Sequence, residues 1–105
     1  MKLRLKTIKR SHRHDKKWDA VFIKPDGRQI VTPFGQKGYN DYIKYNQKFG
    51  KITAKTRKQL YLKRHSGMGE HWNDPTTPGA LSRWVLWNKP TLKSSISDFK
   101  KRFQL

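Results

Sequence analysis

Apolar residues are sparse along this chain, and their densest concentration lies at positions 76–92. Within this stretch Leu81, Trp84 and Val85 recur at i, i+3 and i+4, a spacing that predicts a short helix with one apolar face. A buried tryptophan removes about 150–250 Å² from water, and this helix carries two, Trp84 and Trp87. The pattern therefore predicts a small domain that packs around this helix.

Residues with strong preferences for helix ends flank this segment. Thr77 can cap the N-terminus, and Pro78 suits the first helical position because its missing N–H would be unpaired there. Pro90 ends the helix, and Asn88 can take a left-handed turn before it. Thr91 is then positioned to cap a last helix. The apolar stripe of that last helix recurs at intervals of four, three and four residues: Leu92, Ile96, Phe99 and Phe103.

A β-hairpin is predicted further toward the N-terminus. Residues 18–23 are rich in strand formers, the Pro-Asp-Gly at 25–27 has strong turn chemistry, and residues 29–32 return as a second strand. Trp18 and Phe22 share one face of the first strand. Because an isolated hairpin is only marginally stable, we expect it to pack on a helix or to pair with another strand.

Two helices are predicted between the hairpin and the tryptophan-rich segment. The first is short, with Asn40 as its cap and Gly50 at its end, and the second is strongly basic, beginning at Thr53 or Thr56 and ending at Ser66. The whole pattern predicts an α+β domain with one hairpin and three to four helices, the last two packed through Trp and Phe. The predicted core residues are Trp18, Phe22, Leu81, Trp84, Val85, Trp87, Leu92, Ile96, Phe99 and Phe103.

The first 17 residues are predicted to form a basic arm ahead of a single domain at residues 18–105. Leu3 and Leu5 alternate with charged residues as in a strand, but the dipeptide at 7–8 breaks that alternation. A segment of this composition is expected to be disordered alone and to become ordered against a partner. Its basic residues are Lys2, Arg4, Lys6, Lys9, Arg10, Arg13, Lys16 and Lys17.

Charge is the strongest compositional signal. The 105 residues include 25 Lys and Arg but only seven Asp and Glu, which gives a formal net charge of +18. Such self-repulsion favours an anionic partner, most commonly nucleic acid phosphates, followed by acidic protein surfaces and anionic lipids. The predicted nucleic-acid contacts are the basic residues of the arm together with five of the basic helix: Lys55, Arg57, Lys58, Lys63 and Arg64.

Several classes of protein are disfavoured by what the sequence lacks. Without cysteine the chain has no disulfides, thiolate zinc sites or cysteine catalysis. No apolar run approaches the roughly 18–20 residues of a membrane span, and the basic N-terminal segment lacks the apolar stretch of a secretory signal. We expect a protein of the cytoplasm or nucleus, or one packaged into something assembled inside a cell, and not a secreted one.

Signatures of catalysis are weak. His71, Asn73 and Asp74 come nearest to a metal site, but such a site needs a second histidine and usually another carboxylate, so hydrogen bonding near the Trp84 helix is the favoured role. The loop at 34–39 has a lysine between two glycines and could cradle a phosphate, although it matches no phosphate-loop pattern. We expect no enzymatic activity, no cofactor and no bound metal.

Several aromatic residues stand among lysines, an arrangement that suits single-stranded nucleic acid, where bases stack on rings and Lys or Arg follow the phosphates. The same rings could instead fill the core of a chain this poor in Leu, Ile and Val, and the sequence leaves both alternatives open. The residues concerned are Tyr39, Tyr42, Tyr45, Phe49 and Tyr61.

Five segments together resemble a family of short basic proteins of uncharacterised function that are encoded by large double-stranded DNA viruses of algae and protists. They are Trp-Asp-Ala-Val-Phe at 18–22, Pro-Asp-Gly at 25–27, Phe-Gly-x-x-Gly-Tyr-x-Asp-Tyr at 34–42, Gly-Ala-Leu-Ser-Arg-Trp-Val-Leu-Trp-Asn-Lys-Pro-Thr-Leu at 79–92 and Lys-Lys-Arg-Phe at 100–103. The resemblance implies a viral protein and a virion component, and it carries no catalytic residues with it.

Two functional hypotheses follow. The first is a non-enzymatic basic protein that binds nucleic acid, DNA more readily than RNA, by neutralising its backbone charge within a large DNA virus. The second is a minor capsid or assembly protein whose basic arm threads between acidic viral proteins. Either protein would form part of a larger assembly.

Overall fold

Three antiparallel strands form one sheet, in which the order across the sheet follows the order along the chain. The computed structural model describes residues 2–67 and 69–105. Its strands are β1 (Arg4–Arg10), β2 (Lys16–Ile23) and β3 (Gln29–Gln36). Its helices are α1 (Tyr42–Phe49), α2 (Lys51–His65), α3 (Pro78–Leu81), which continues as a π-helical turn at Ser82–Leu86, and α4 (Leu92–Phe103). The predicted α+β class is confirmed, with one strand more than the hairpin.

The extra strand is β1, which lies in the segment that the sequence predicted as an arm. It pairs with β2 from Arg4 opposite Ile23 to Arg10 opposite Trp18, so the expectation of a disordered arm was wrong for these residues. A β-bulge between Leu5 and Thr7 explains why the alternation of the sequence broke there.

Burial of Leu5 anchors β1 to the domain, since this side chain is only 8% exposed and belongs to the core. The basic side chains of β1 remain exposed along the sheet edge, where charge also discourages pairing with another chain. Of the predicted arm, Met1 lies outside the described residues.

One face of the sheet and the C-terminal helices enclose the core. The sheet contributes Leu5, Ala20, Phe22 and Phe34, and the helical segments contribute Leu81, Val85, Leu86 and Phe99. Four predicted core residues are fully buried there: Phe22, Leu81, Val85 and Phe99. The other six are half-buried and pack against this cluster: Trp18, Trp84, Trp87, Leu92, Ile96 and Phe103. The centre of the core is therefore formed by phenylalanine and aliphatic side chains, while the tryptophans lie around it.

Most of the predicted helix ends are confirmed. The Thr77 hydroxyl accepts from the backbone N–H of Ala80, and that of Thr91 accepts from Ser94. The cap of α1 is Asp41 rather than Asn40. Helix α2 begins at Lys51 with Gly50 at its N-cap, ahead of both predicted positions, Thr53 and Thr56.

Asn88 does not take the left-handed turn predicted for it. Gln104 is the one non-glycine residue with a positive φ among those that the structure describes. Asn88 is buried instead, and its side-chain amide donates to the carbonyl oxygen of Trp84 and to the carboxylate of Asp98. The amide thereby joins the middle of α4 to the π-helical turn.

A buried carboxylate joins β2 to the turn that precedes it and should make the stability of the fold depend on pH. The side chain of Asp19 is 1% exposed, and this burial by itself raises its pKa. Hydrogen bonds from Ser11 and His12, together with the charge of His12, outweigh burial, so the pKa of Asp19 lies below the ordinary 3.8. Because the folded pKa is the lower one, Asp19 stabilises the fold above pH 3.8 and loses this effect as the pH falls through the folded value.

We expect the free energy of unfolding, measured with urea between pH 5 and 2.5, to fall less steeply with pH in Asp19→Asn than in the native chain. Asp15→Asn is the control and should change the pH dependence less. The carboxyl group of Asp15 also has a lowered pKa, but it lies at the surface beside Arg13. Equal slopes for the native chain and Asp19→Asn would contradict the assignment.

Candidate nucleic-acid interface

Two neighbouring clefts open beside the loop that connects β3 to α1. The first cleft, of about 640 Å³, lies between this loop, α2 and the start of α3. The second cleft, of about 580 Å³, lies between the same loop, α1 and the turn that follows β1. Their shared wall includes Lys16, Lys17, Tyr39, Asn40 and Asp41. We call the two clefts together the basic groove.

The second cleft is the more cationic of the two. Lys44 and Lys48 reach it from adjacent turns of α1, and Lys37 reaches it from the β3–α1 loop. Six cationic side chains and a single carboxylate line it; the cations are Arg10, Lys16, Lys17, Lys37, Lys44 and Lys48. Such a concentration of positive charge in a concave surface attracts phosphates, because low-dielectric walls focus the field.

The first cleft combines cations with aromatic rings. One face of α2 lines it through residues at i, i+3, i+4 and i+7, namely Arg57, Leu60, Tyr61 and Arg64. Tyr61 stacks on Trp87 with 4.5 Å between ring centroids and 8° between planes, and also on His65 at 4.4 Å. Burial, followed by the charge of Glu70, raises the pKa of the Tyr61 phenol, which therefore stays neutral. These rings fix α2 against the end of the π-helical turn.

The carboxylates of the groove are already engaged by neighbouring groups. Asp41 accepts from Lys17 Nζ at 2.7 Å and from the backbone N–H of Lys44 at 3.0 Å. Glu70 forms a 2.8 Å contact with His65 Nδ1 and accepts from Trp72 Nε1 at 2.9 Å. With these partners the two acids repel an incoming phosphate less than free carboxylates would.

Glycines shape the end of β3 and the loop that follows it, between the two clefts. Gly35 has φ +78°, and a Cβ there would lie 2.9 Å from the Leu86 side chain, so this position needs glycine for its backbone and for space. Gly38 has φ +91° and precedes Tyr39, whose side chain is 69% exposed. The loop thus places one large exposed ring at the junction of the clefts.

The structure brings together only some of the predicted nucleic-acid contacts. Five of them line the groove: Arg10, Lys16, Lys17, Arg57 and Arg64. Eight do not line it: Lys2, Arg4, Lys6, Lys9, Arg13, Lys55, Lys58 and Lys63. Three groove lysines were missed by the prediction: Lys37, Lys44 and Lys48. Their signal was present, since Lys44 and Lys48 are four residues apart on a helix and Lys37 lies between two glycines.

Lys58 has a structural role that the sequence did not reveal. Its ammonium donates to the carbonyl oxygen of Asn88 at 2.8 Å and lies 4.9 Å from the ring centre of Tyr42. Burial, followed by the charges of Arg83 and Lys89, lowers its pKa. Lys58 therefore helps to hold α2 on the domain, and its ammonium is not free for a phosphate.

Arginines also pack against the outer tryptophans. The guanidinium groups of Arg83 and Arg102 lie 4.0 and 3.7 Å from the ring centre of Trp84. Arg83 donates in addition to the carbonyl oxygen of Trp87, and burial lowers its pKa. Part of the positive charge thus covers the half-buried aromatic rings.

Most of the positive charge has no acidic partner. Among residues 2–67 and 69–105, only four of the 25 lysines and arginines contact a side-chain carboxylate: Arg13, Lys17, Arg28 and Arg102. Two other acids pair with histidines, His12 and His65. The fold therefore does not neutralise its own charge, and the excess remains available to an anionic partner.

The His71–Asp74 segment serves as local structure before α3. Asp74 accepts from the backbone N–H and the hydroxyl of Thr76, and the Thr77 hydroxyl donates to the carbonyl oxygens of His71 and Asp74. In the described part of the chain no three His, Asp or Glu side chains converge as metal ligands would. Within the same residues, no helix has both the length and the apolar character needed to cross a membrane.

Comparison with known proteins finds no matching family model, no similar curated protein and no similar solved structure.

Asp41 should be the groove residue on which the fold depends most. Asp41→Ala removes the cap of α1 and leaves Lys17 without its partner, which together should lower the free energy of unfolding by about 3 kcal/mol. Asp15→Ala breaks only the exposed pair with Arg13 and should cost about 0.5 kcal/mol or less. Urea unfolding at neutral pH measures both, and similar losses for the two variants would contradict this role.

Proposed function

We propose that this protein is a non-enzymatic nucleic-acid-binding protein that neutralises backbone phosphates, and that the basic groove is its main contact surface. The observation that carries the proposal is the large excess of cations without acidic partners. Five of them line one concave surface, whose single carboxylate, Asp41, is paired with Lys17. Phosphates repeat along a nucleic acid at regular intervals. A row of cations therefore fits a nucleic acid better than it fits an isolated anion. Lysines and arginines outside the groove would add non-specific attraction.

The virion role is a further part of the proposal, and it is supported by the sequence resemblance at residues 18–22 and 79–92. The capsid alternative required a free arm to thread between acidic proteins, and residues Arg4–Arg10 of that arm pair within the sheet instead. We therefore retain nucleic acid as the partner. In a purified particle the protein should remain with the genome and be released when nuclease removes it.

The test is the salt dependence of affinity for a mixed-sequence 20-mer, measured by fluorescence anisotropy in single- and double-stranded form. If six to ten phosphates are contacted, the association constant should fall by about 10³- to 10⁵-fold between 50 and 200 mM salt, with little dependence on sequence. A polyglutamate of equal charge is the control for an acidic protein partner. Undetectable binding to nucleic acid at 50 mM salt, or tighter binding to polyglutamate, would contradict the proposal.

A further inference from the structure

We infer that the junction of the two clefts binds an unpaired base, with Tyr39 as the ring on which the base stacks; this inference rests on the proposed function. The ligand class is single-stranded nucleic acid, whose phosphates would follow the second cleft while one base enters the first. Three features support this site: the position and exposure of Tyr39, the size of the first cleft and the chemistry of its lining.

Tyr39 is the one tyrosine among the described residues that is largely exposed, at 69%. The other three tyrosines pack within the domain. Tyr42 lies under the Lys58 ammonium, and the ring centroid of Tyr45 lies 6.2 Å from that of Trp87. Tyr61 already stacks with two rings. Tyr39 also lines both clefts. An exposed ring at a concave junction of cations offers a stacking face that every base can use.

The first cleft has the size and the polar groups that a nucleotide needs. Its volume of about 640 Å³ lies within the range of small-ligand sites, roughly 300–1,000 Å³. Arg57 and Arg64 line it from α2, and guanidinium groups both stack on bases and bind phosphates. Asn40, on the shared wall, has an amide that can donate to and accept from a base edge.

A duplex would not satisfy this site, because its bases are stacked on one another and are not free to enter a cleft. The second cleft, by contrast, needs only phosphates and serves either form. The structure therefore predicts that single strands bind more tightly than duplexes of equal length, and that the difference comes from the base and depends on Tyr39.

The experiment compares fluorescence anisotropy titrations of dT12 and of a 12-mer with the same backbone and abasic sites throughout. The native chain should bind dT12 about 5- to 150-fold more tightly than the abasic strand, the range found when one stacked base is lost. Tyr39→Ala should remove that difference and leave the affinity for the abasic strand unchanged, whereas Tyr39→Phe should retain it. Substituting rU12 for dT12 shows whether the site prefers RNA.

Phe49→Ala is the matched control, because Phe49 is 58% exposed but lines neither cleft, and it should bind both strands as the native chain does. Thermal unfolding of each variant verifies that it is folded. Equal affinity of the native chain for dT12 and the abasic strand, or an unchanged preference in Tyr39→Ala, would overturn the base site and leave backbone binding standing. No binding to either strand would overturn the proposed function itself.

Discussion

Replacing Phe99 with alanine is expected to lower the free energy of unfolding by about 3–5 kcal/mol. Phe99 is fully buried, and its ring centroid lies 6.5 Å from that of Phe22 on the sheet and 5.2 Å from that of Phe103. The side chain therefore joins α4 to the sheet, and its removal leaves a cavity that the surrounding elements can only partly fill. Small domains have a total free energy of unfolding of about 5–15 kcal/mol. A large fraction of the Phe99→Ala molecules should therefore be unfolded at moderate temperature.

Phe49→Ala provides the matched comparison for this substitution. Phe49 is 58% exposed at the end of α1 and has Tyr45 as its aromatic neighbour, at 5.9 Å between centroids. Its replacement should cost about 1 kcal/mol or less. Urea unfolding followed by circular dichroism measures both variants. If Phe99→Ala and Phe49→Ala lowered the free energy of unfolding by similar amounts, the core would not centre on the contact between α4 and the sheet.

The second large effect is expected when the groove loses charge. A variant with Arg10, Lys37, Lys44 and Lys48 replaced by glutamine removes four of the six cations of the second cleft while keeping Lys16 and the Lys17–Asp41 pair. If each contacts one phosphate, the slope of log K against log salt should become shallower by about 3 to 4. The loss of affinity for a single-stranded 20-mer, relative to the native chain, should therefore be on the order of 100-fold greater at 50 mM than at 200 mM salt.

A second variant with the same change in net charge separates the groove from general attraction. Lys2, Lys6, Lys93 and Lys101 are exposed and line neither cleft, so replacing them with glutamine should change the slope by less than about 1. If the two variants lost equal affinity and equal slope, net charge alone would determine binding, and the basic groove would not be the main contact surface.

The parts of the fold that could be predicted depend on local chemistry. Thr77 and Thr91 cap their helices because a hydroxyl can reach the free N–H groups three residues on, whatever the rest of the chain does. The stripe from Leu92 to Phe103 follows from helical periodicity alone. The turn at 25–27 is equally local. These features were readable from a single sequence.

The parts that could not be predicted depend on residues far apart in the chain. Whether β1 is an arm or a strand depends on pairing with β2, and the bulge after Leu5 hid the alternation that would have indicated it. Lys58 points inward because the carbonyl oxygen of Asn88, 30 residues away, accepts from it. Charge counting could not distinguish such a lysine from the exposed lysines of the same helix.

The candidate site shows the same division. The basic composition predicted a phosphate-binding protein, but the groove results from the way the β3–α1 loop, α1 and α2 meet. Trp87 fixes that arrangement by stacking on Tyr61 and lying beside Tyr45, so rings that could have contacted bases serve instead to position the helices. Tyr39 takes no part in this ring packing and is exposed.

The most direct measurement of the central claim is an NMR titration of the ¹⁵N-labelled protein with dT12 at 50 mM salt. Binding in the basic groove should concentrate the amide shifts at residues 35–41, which form the end of β3 and the loop after it, and along α1, with smaller changes on α2 near Arg57 and Arg64. Shifts confined to the β1 edge and to α4, or spread evenly over all basic residues, would contradict it.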